Sequence, residues 1–282
     1  MILSSILYIV SLAAALGCAY LLSSYKLYLW LMALPFWVAF FYLSVGIWVL
    51  ILIAWGPFLK NKPTPDKPNR FYIGVIHQTV QTFFLAFHIH VRVRGGSKIP
   101  ANQKVLYVNN HISNFDPMAM ICAFRGPFLG VTKPENLKFP IAGPFIRLAG
   151  FIPINREDAK EGSKAINKAS EYLRRNLCDV EICPEGTRNK TADTFLPFHD
   201  GSFKIAEKSG APIIPMTIVN SAAVFEDHFP KIKKATVVIE YGKPIYLNEM
   251  SREEKKAIGA TVKAVIEETY FRNKEKYFGE AK

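Results

Sequence analysis

Three patterns of hydrophobic and polar residues divide the chain. The first 59 residues are almost wholly apolar, with Lys26 as their one charged side chain. A polar, proline-rich stretch follows at 60–70, and from residue 71 onward short apolar runs alternate with amphipathic stretches. The pattern therefore predicts an apolar segment at 1–59, a linker at 60–70 and a folded domain at 71–282.

The apolar segment predicts a helical hairpin in the membrane. Residues 2–22 form an uncharged run of 21 residues, and as a helix about 31 Å long this run would match the hydrocarbon core of a bilayer. Residues 27–59 form a second uncharged run of 33 residues, which is longer than one span requires. A signal peptide and buried core helices are the alternatives. The first run lacks a basic start, and a second apolar run follows it at once, which disfavours a signal peptide.

The charge pattern predicts an orientation. The formal net charge is +12, and Lys60, Lys62, Lys67 and Arg70 follow the hairpin directly. By the positive-inside rule, both termini and everything after residue 60 lie on the cytoplasmic side of the cell membrane. The positive charge suits anionic lipid and an acidic carrier protein, although lysines that only solvate the surface would give the same value. The four cysteines show no C-x-x-C pair, which indicates reduced residues of a cytosolic domain.

Residues 71–282 predict an α/β domain with a mostly parallel central sheet flanked by helices, because strand patterns alternate with helical patterns. In such sheets ligands bind beyond the carboxyl ends of the strands. The first helix suits a core-facing position and a membrane-surface position equally well. The expected helices are 71–87, 117–125, 162–176, 202–210 and a last one from the capping box at Ser251 to about Arg272. The expected strands are 88–95, 104–110, 151–155, 179–183, 212–219 and 235–242.

A histidine and an aspartate stand five positions apart in the stretch NNHISNFDP, residues 109–117. His111 follows directly on a predicted buried strand, where ligands are expected. Asp116 and Pro117 also have the form of a helix start, with Asp as N-cap and Pro as the first helical residue. A carboxylate has two oxygens, so Asp116 can serve as a cap and as a partner of His111. The stretch alone does not choose between these uses.

Four short motifs occur in order along the domain. They are NNHISNFDP at 109–117, GFIPINR at 150–156, CPEGTRN at 183–189 and APIIPMTIV at 211–219. This ordered set resembles the glycerolipid acyltransferase family typified by the bacterial lysophosphatidate acyltransferases. The resemblance covers roughly residues 88–245 and implies the glycerolipid acyltransferase fold. Two positions depart from the family pattern, namely Pro153 inside the second motif and Cys183 where phenylalanine is usual.

The resemblance implies attack of a glycerol hydroxyl on a fatty acyl thioester. An alcohol is a poor nucleophile at neutral pH, so a base must take its proton, and the pKa of histidine suits that task. We expect His111 to be the base. We expect Asp116 to accept the other ring N–H and fix the tautomer, as the third group of a serine triad does. No covalent acyl-enzyme is required, so Cys183 is not expected to act as a nucleophile.

The acceptor carries a phosphate, for which arginine offers planar, bidentate donors. The resemblance assigns Arg188 and Arg156 to this phosphate, with Lys133 as a weaker candidate. A solvated surface position is the alternative for each.

The stretch Glu185-Gly186-Thr187 has a functional and a structural interpretation. The resemblance implies that Glu185 positions the acceptor, and N–H groups near Gly186 are candidates for stabilising the oxyanion. The same residues are also typical of a plain turn at the end of a strand.

We therefore expect an acyltransferase of phospholipid biosynthesis. It would move a fatty acyl group from acyl carrier protein or coenzyme A to the sn-2 hydroxyl of 1-acyl-sn-glycerol-3-phosphate, giving phosphatidate. One alternative is acylation of another lysophospholipid or of glycerol-3-phosphate. Another is a non-catalytic lipid-binding membrane protein on the same fold. The other histidines show no metal-ligand spacing, so we expect no metal ion. We also expect no other cofactor and no nucleic acid partner.

Overall fold

The computed structural model describes residues 2–23, 33–124, 126–155, 157–191 and 194–279. Within these ranges the chain forms nine α-helices and seven strands. The helices are α1 (Ile2–Ser23), α2 (Ala33–Leu59), α3 (Arg70–Ala86), α4 (Asp116–Ala123), α5 (Ala142–Ala149), α6 (Ala159–Arg174), α7 (Lys204–Ser209), α8 (Arg252–Lys256) and α9 (Ile258–Phe278). The strands are β1 (His90–Arg94), β2 (Leu106–Asn109), β3 (Phe128–Thr132), β4 (Ile152–Pro153), β5 (Asp179–Ile182), β6 (Ile213–Val219) and β7 (Thr236–Tyr241).

The strands form one sheet in the order β1-β7-β6-β2-β5-β3-β4. The β6–β7 pairing is antiparallel and the other five pairings are parallel. The strands β2 to β6 therefore share one direction, and their carboxyl ends lie along the same edge of the sheet. The predicted mostly parallel sheet flanked by helices is confirmed.

Helices cover both faces of the sheet, because successive side chains of a strand point to opposite faces. In β2, Leu106 and Val108 join a buried cluster with residues of α5, α6, α7 and α9. Tyr107, between them, joins a second cluster with residues of α3 and α4. Helix α3 thus packs against the core, although Phe71 at its start is exposed. Of the two positions suggested for this helix, the structure has the core-facing one.

The two N-terminal helices pack against each other as a hairpin. The ring of Tyr8 in α1 lies 5.4 Å from Trp37 and 4.6 Å from Phe41 in α2, between centroids. Helix α2 is long and apolar enough to cross a membrane, with a mean hydropathy of 2.4. The apolar stretch Ser5–Leu21 of α1 is shorter. Residues 24–32, which include Lys26 and the predicted turn, lie outside the described residues.

The end of α2 belongs to the core of the domain. Leu52 and Leu59 are buried in the first cluster, and the ring of Trp55 lies 5.4 Å from that of Phe145 in α5. The guanidinium of Arg147 donates to the carbonyl of Leu59 at 2.7 Å. A domain boundary at residue 59 stays a prediction, but this packing links the hairpin firmly to α5.

Several elements differ from those that the sequence predicts. Strand β3 was not expected, because Gly130 interrupts its apolar run. A Cβ at Gly130 would meet the carboxylate of Glu181 at 2.8 Å and the ring of Phe151 at 3.2 Å, so a larger residue would require these side chains to shift. Helix α5 was also not expected. The capping box at Ser251 is confirmed, but the predicted last helix is interrupted at Ala257 and continues beyond Arg272, to the end of α9.

Candidate active site

The candidate site lies where three neighbouring parallel strands, β6, β2 and β5, end at one edge of the sheet. The last pair between β2 and β6 joins Asn109 to Met216. Beyond it, the side chain of Asn110 bridges the strands. Its Oδ1 accepts the N–H of Ile218 at 2.8 Å, and its Nδ2 donates to the carbonyl of Ile218 at 2.9 Å. The bridge lets the two strands separate, so that His111 leaves the sheet at its edge.

The structure brings His111 and Asp116 together. His111 Nδ1 is 2.9 Å from Asp116 Oδ2. In this contact Nδ1 carries the proton and donates a hydrogen bond to the carboxylate. Nε2 is then the ring nitrogen that can accept a proton from a substrate. The histidine side chain is 26% exposed and that of the aspartate 1%. A substrate can therefore reach the histidine while the aspartate stays buried behind it.

Both oxygens of Asp116 are engaged. Oδ2 also accepts the N–H groups of Ile112 and Ser113, each at 2.8 Å, and Oδ1 accepts the hydroxyl of Ser221. The predicted N-cap role is wrong, because Asp116 is already the first residue of α4, with Phe115 as the N-cap. Its carboxylate binds amides that precede the helix. These bonds fix the carboxylate in the orientation that meets His111.

The electrostatics of the site raise the pKa of His111 above its ordinary value. Burial of the ring acts in the opposite direction, because it disfavours the charged imidazolium. The hydrogen bond and negative charge of Asp116 outweigh burial, and the carboxylates of Glu181 and Glu185 act in the same direction as Asp116. A raised pKa makes the neutral imidazole a stronger base.

Glu185 holds the backbone of His111. The residue is 3% exposed, its Oε1 accepts the N–H of His111 at 2.9 Å, and its Oε2 accepts the N–H of Leu196 at 3.4 Å. The carbonyl of His111 accepts the N–H of Asn189 at 2.7 Å. The loop after β5 therefore binds both backbone polar groups of the histidine. A role of Glu185 in acceptor binding stays a prediction, but its contacts favour the positioning of His111.

The turn after Glu185 depends on glycine. Gly186 has a φ of 76°, in the left-handed region that other residues rarely adopt. Its N–H donates to the carbonyl of Cys183 at 3.3 Å, so this amide is engaged within the turn. Thr187, the next residue, is exposed. Substrate contacts of Gly186 and Thr187 stay predictions.

Arg188 reaches from the loop after β5 to the segment after β6. Its Nη1 donates to Glu226 Oε1 at 2.8 Å, with the two side chains 29% and 20% exposed. The same carboxylate accepts the hydroxyl of Ser113 at 2.7 Å and the N–H of Asn114 at 2.8 Å. Arg188 therefore lies beside the loop that carries His111, and its binding of phosphate stays a prediction.

The other two predicted phosphate ligands are Lys133 and Arg156, and the structure describes only the first. Lys133 is exposed and follows β3, which is a parallel neighbour of β5. It therefore leaves the same edge of the sheet as Arg188. Arg156 lies outside the described residues, and β4, which precedes it, pairs in parallel with β3. Binding of phosphate by either residue stays a prediction.

Cys183 lies close to the site without the properties of a nucleophile. Burial, together with the negative charges of Glu185 and Glu181, raises the pKa of its thiol well above the ordinary value. The thiolate, which is the reactive form, is therefore scarce at neutral pH. Across the described part of the chain, no group of three His, Cys, Asp or Glu side chains is placed to hold a metal ion.

Ser221 and Glu226 are the residues of the site that sequence analysis missed. Ser221 is fully buried and bonds to Asp116, and Glu226 pairs with Arg188. Both follow β6 in the stretch SAAVFEDH, which carries no motif. The available signal was the position of this stretch directly after a predicted strand, where ligands of α/β sheets bind.

The chain resembles acyltransferases in sequence and in fold. The family model described as acyltransferase matches residues 90–219. A 1-acyl-sn-glycerol-3-phosphate acyltransferase of Borreliella burgdorferi is 30% identical over 178 residues, which cover 63% of this chain and 70% of that protein. The Salmonella typhimurium protein of the same name is 24% identical over 182 residues, covering 64% and 73%. The crystal structure of the 1-acyl-sn-glycerophosphate acyltransferase from Thermotoga maritima matches with a TM-score of 0.62 at 20% identity, covering 82% of this chain and 95% of that one.

Proposed function

Since this chain belongs to the glycerolipid acyltransferase family, we propose that it transfers a fatty acyl group to the sn-2 hydroxyl of 1-acyl-sn-glycerol-3-phosphate, giving phosphatidate. The observation that carries the proposal is the pair formed by His111 Nδ1 and Asp116 Oδ2, 2.9 Å apart at the carboxyl edge of the sheet. Arg188, a donor for a phosphate, lies beside the same loop. The relatives described above carry this activity in their names.

The reaction follows from the position of His111. Nε2 takes the proton of the acceptor hydroxyl as the hydroxyl oxygen attacks the carbonyl carbon of the thioester. Asp116 keeps the proton on Nδ1 and stabilises the imidazolium that forms. When the tetrahedral intermediate collapses, the C–S bond breaks and the imidazolium gives its proton to the leaving thiolate. The products are phosphatidate and a free thiol, and no group of the enzyme is acylated.

The negative charge of the acceptor phosphate is matched to the positively charged side chains near His111. The phosphate of the lysolipid carries up to two negative charges and meets Arg188 through charge-assisted hydrogen bonds. Arg156 and Lys133, which follow the neighbouring strands, extend this positive region. The exposure of apolar side chains on α1 and α2 supports membrane association, and the basic stretch after α2 favours a site on the cytoplasmic side. The donor is the thioester of acyl carrier protein or of coenzyme A.

Release of free thiol from an acyl-coenzyme A tests the activity, using the purified full-length protein in detergent. The expected result is release that depends on added lysophosphatidate. His111→Ala should lower kcat by about 10²–10⁴-fold, the usual scale for loss of a general base. His90→Ala is the matched control, because His90 is an exposed residue of β1 at the far edge of the sheet.

The panel of acceptors separates the proposed function from its alternatives. Lysophosphatidate, lysophosphatidylethanolamine and glycerol-3-phosphate should be compared at equal acyl-coenzyme A. Preference for either of the last two would change the acceptor but keep the chemistry. If the wild type releases no thiol with any of the three acceptors, using either donor, the result would favour the non-catalytic lipid-binding protein.

A further inference from the structure

The carboxylate of Glu226 is bound by three different donors. Oε1 accepts Arg188 Nη1 at 2.8 Å and the N–H of Asn114 at 2.8 Å, and Oε2 accepts the hydroxyl of Ser113 at 2.7 Å. Two of these donors belong to the loop that carries His111. The third belongs to the arginine proposed above to bind phosphate. One internal anion thus joins the catalytic loop to the arginine.

The three donors form the kind of set that binds a phosphate. A guanidinium, a backbone N–H and a hydroxyl all donate, and together they satisfy several oxygens of one anion. A carboxylate offers two such oxygens, and a phosphomonoester offers three. Ser113 and Asn114 come so soon after His111 that an anion bound to them would lie close to the imidazole. The phosphate of the acceptor would be expected here, because its short glycerol backbone keeps the phosphate near the hydroxyl that reacts.

We propose that Glu226 is an internal substitute for the phosphate of the acceptor, and that Ser113, Asn114 and Arg188 form the cradle which this phosphate enters. The proposal rests on the proposed function. Glu226 balances the charge of Arg188 and keeps the cradle assembled while no acceptor is bound. The acceptor phosphate displaces the carboxylate and takes over its three donors. Glu226 thereby lowers the apparent affinity for phosphate-bearing acceptors.

The exchange requires movement of a side chain only. Glu226 begins a short 3-10 turn, Glu226–His228, that follows a well-anchored stretch of backbone. Val224, just before it, is fully buried, and its carbonyl accepts the N–H of Lys233 at 2.9 Å. The ring of Phe225 lies 5.9 Å from that of Phe115. The backbone can therefore stay in place while the partly exposed glutamate rotates about its three side-chain torsions into solvent.

Binding of glycerol-3-phosphate to the full-length protein tests this proposal by calorimetry, without turnover. Glu226→Gln removes the competing charge, and affinity should rise roughly twofold to fivefold, the scale of a partly exposed ion pair with good geometry. The KM for lysophosphatidate should fall by the same factor, because one internal competitor is removed in both cases. Asp227→Asn is the matched control. It makes the same charge change at the next, exposed residue and should leave binding unchanged.

Removal of one donor of the cradle completes the test. Ser113→Ala added to Glu226→Gln should cancel much of the gain, and Glu226→Ala should give a gain in the same direction as Glu226→Gln. Weaker binding by both Glu226 variants would overturn the proposal, because Glu226 would then serve to hold Arg188 for the phosphate. Unchanged binding would overturn it too, since the phosphate would bind elsewhere. Tighter binding without any acyl transfer would leave the cradle intact and refute the proposed function instead.

Discussion

Replacement of Asp116 by asparagine separates two ways in which the aspartate can assist His111. An asparagine has one oxygen and one amide nitrogen in place of the two carboxylate oxygens. Three donors meet at Oδ2, namely His111 Nδ1 and the N–H groups of Ile112 and Ser113. Only an oxygen is compatible with these donors, so the amide nitrogen must take the position of Oδ1. There it meets the hydroxyl of Ser221, which can rotate and accept.

Asp116→Asn should therefore keep the tautomer of His111 and lose the negative charge beside it. The amide oxygen still accepts the proton on Nδ1, so Nε2 remains the basic nitrogen. The loss is the difference between a charge-assisted and a neutral hydrogen bond, about 1–2 kcal/mol. This corresponds to a decrease in kcat of about fivefold to thirtyfold. A misplaced tautomer would cost far more, about 10⁴-fold, as in a serine triad.

The pH profile gives a second readout with a definite sign. Asp116 is the main group that raises the pKa of His111, while burial lowers it. In the wild type the histidine therefore loses its basic form as the pH falls through a pKa above its ordinary value of 6.5, and kcat decreases on that side. In Asp116→Asn burial prevails, the pKa drops, and the acid limb of kcat should move to lower pH.

The assay is thiol release from an acyl-coenzyme A at saturating lysophosphatidate, measured across about pH 5–9. Circular dichroism confirms the fold, and Asp227→Asn controls for the loss of one carboxylate near the site. A 10⁴-fold loss would show that the amide had turned and that the tautomer was wrong, because the acid limb moves to lower pH whichever way the amide faces. An unchanged rate and profile would show that Asp116 does not support His111 in the reaction.

Four further variants probe neighbours of the catalytic pair and the hairpin. Cys183→Ser should leave kcat largely intact, since the raised pKa keeps the thiol protonated, and mass spectrometry showing a kinetically competent acyl-Cys183 would contradict this. Glu185→Gln should lower kcat with little change in either KM, because the amide nitrogen would face the N–H of His111 or that of Leu196. A rise in KM for the acceptor alone would instead support acceptor binding by Glu185. Trp55→Ala should destabilise the whole domain by about 2 kcal/mol, as expected for a partly buried aromatic residue, seen as a lower melting temperature in detergent. Trp37→Ala, which removes a contact with Tyr8 inside the hairpin, should affect the domain less, and equal shifts would refute the link through α5.

The sequence predicted those parts of the fold that depend on local pattern. Strand and helix periodicity placed most elements, and the mostly parallel sheet followed from their alternation. Strand β3 escaped prediction because Gly130 weakens its pattern, and the side chains that crowd this glycine, Glu181 and Phe151, come from other parts of the chain. The packing of Trp55 against Phe145 also escaped prediction. An apolar run has the same composition whether it meets lipid or a protein core.

In the site too, contacts within one motif could be predicted, and contacts between residues far apart in the chain could not. His111 and Asp116 belong to one motif, and their contact could be predicted from spacing and resemblance. Ser221 bonds to Asp116 across 105 positions of the chain, and Glu226 bonds to Ser113 across 113. These contacts exist because β6 pairs with β2, a neighbour relation that no local pattern in the chain specifies. The role of Asp116 as an N-cap was predicted wrongly for a related reason, since distant and upstream donors engage its carboxylate.

Three loops together determine where the reactive nitrogen of His111 points. The loop after β5 binds the backbone of the histidine through Glu185 and Asn189. The loop after β2 binds Nδ1 through Asp116, and the loop after β6 holds Asp116 through Ser221. The backbone N–H, the carbonyl and Nδ1 are thus each engaged, which leaves Nε2 to face the substrate. A change in any of the three loops should therefore alter kcat through the orientation of one ring, even where the altered residue never touches lipid.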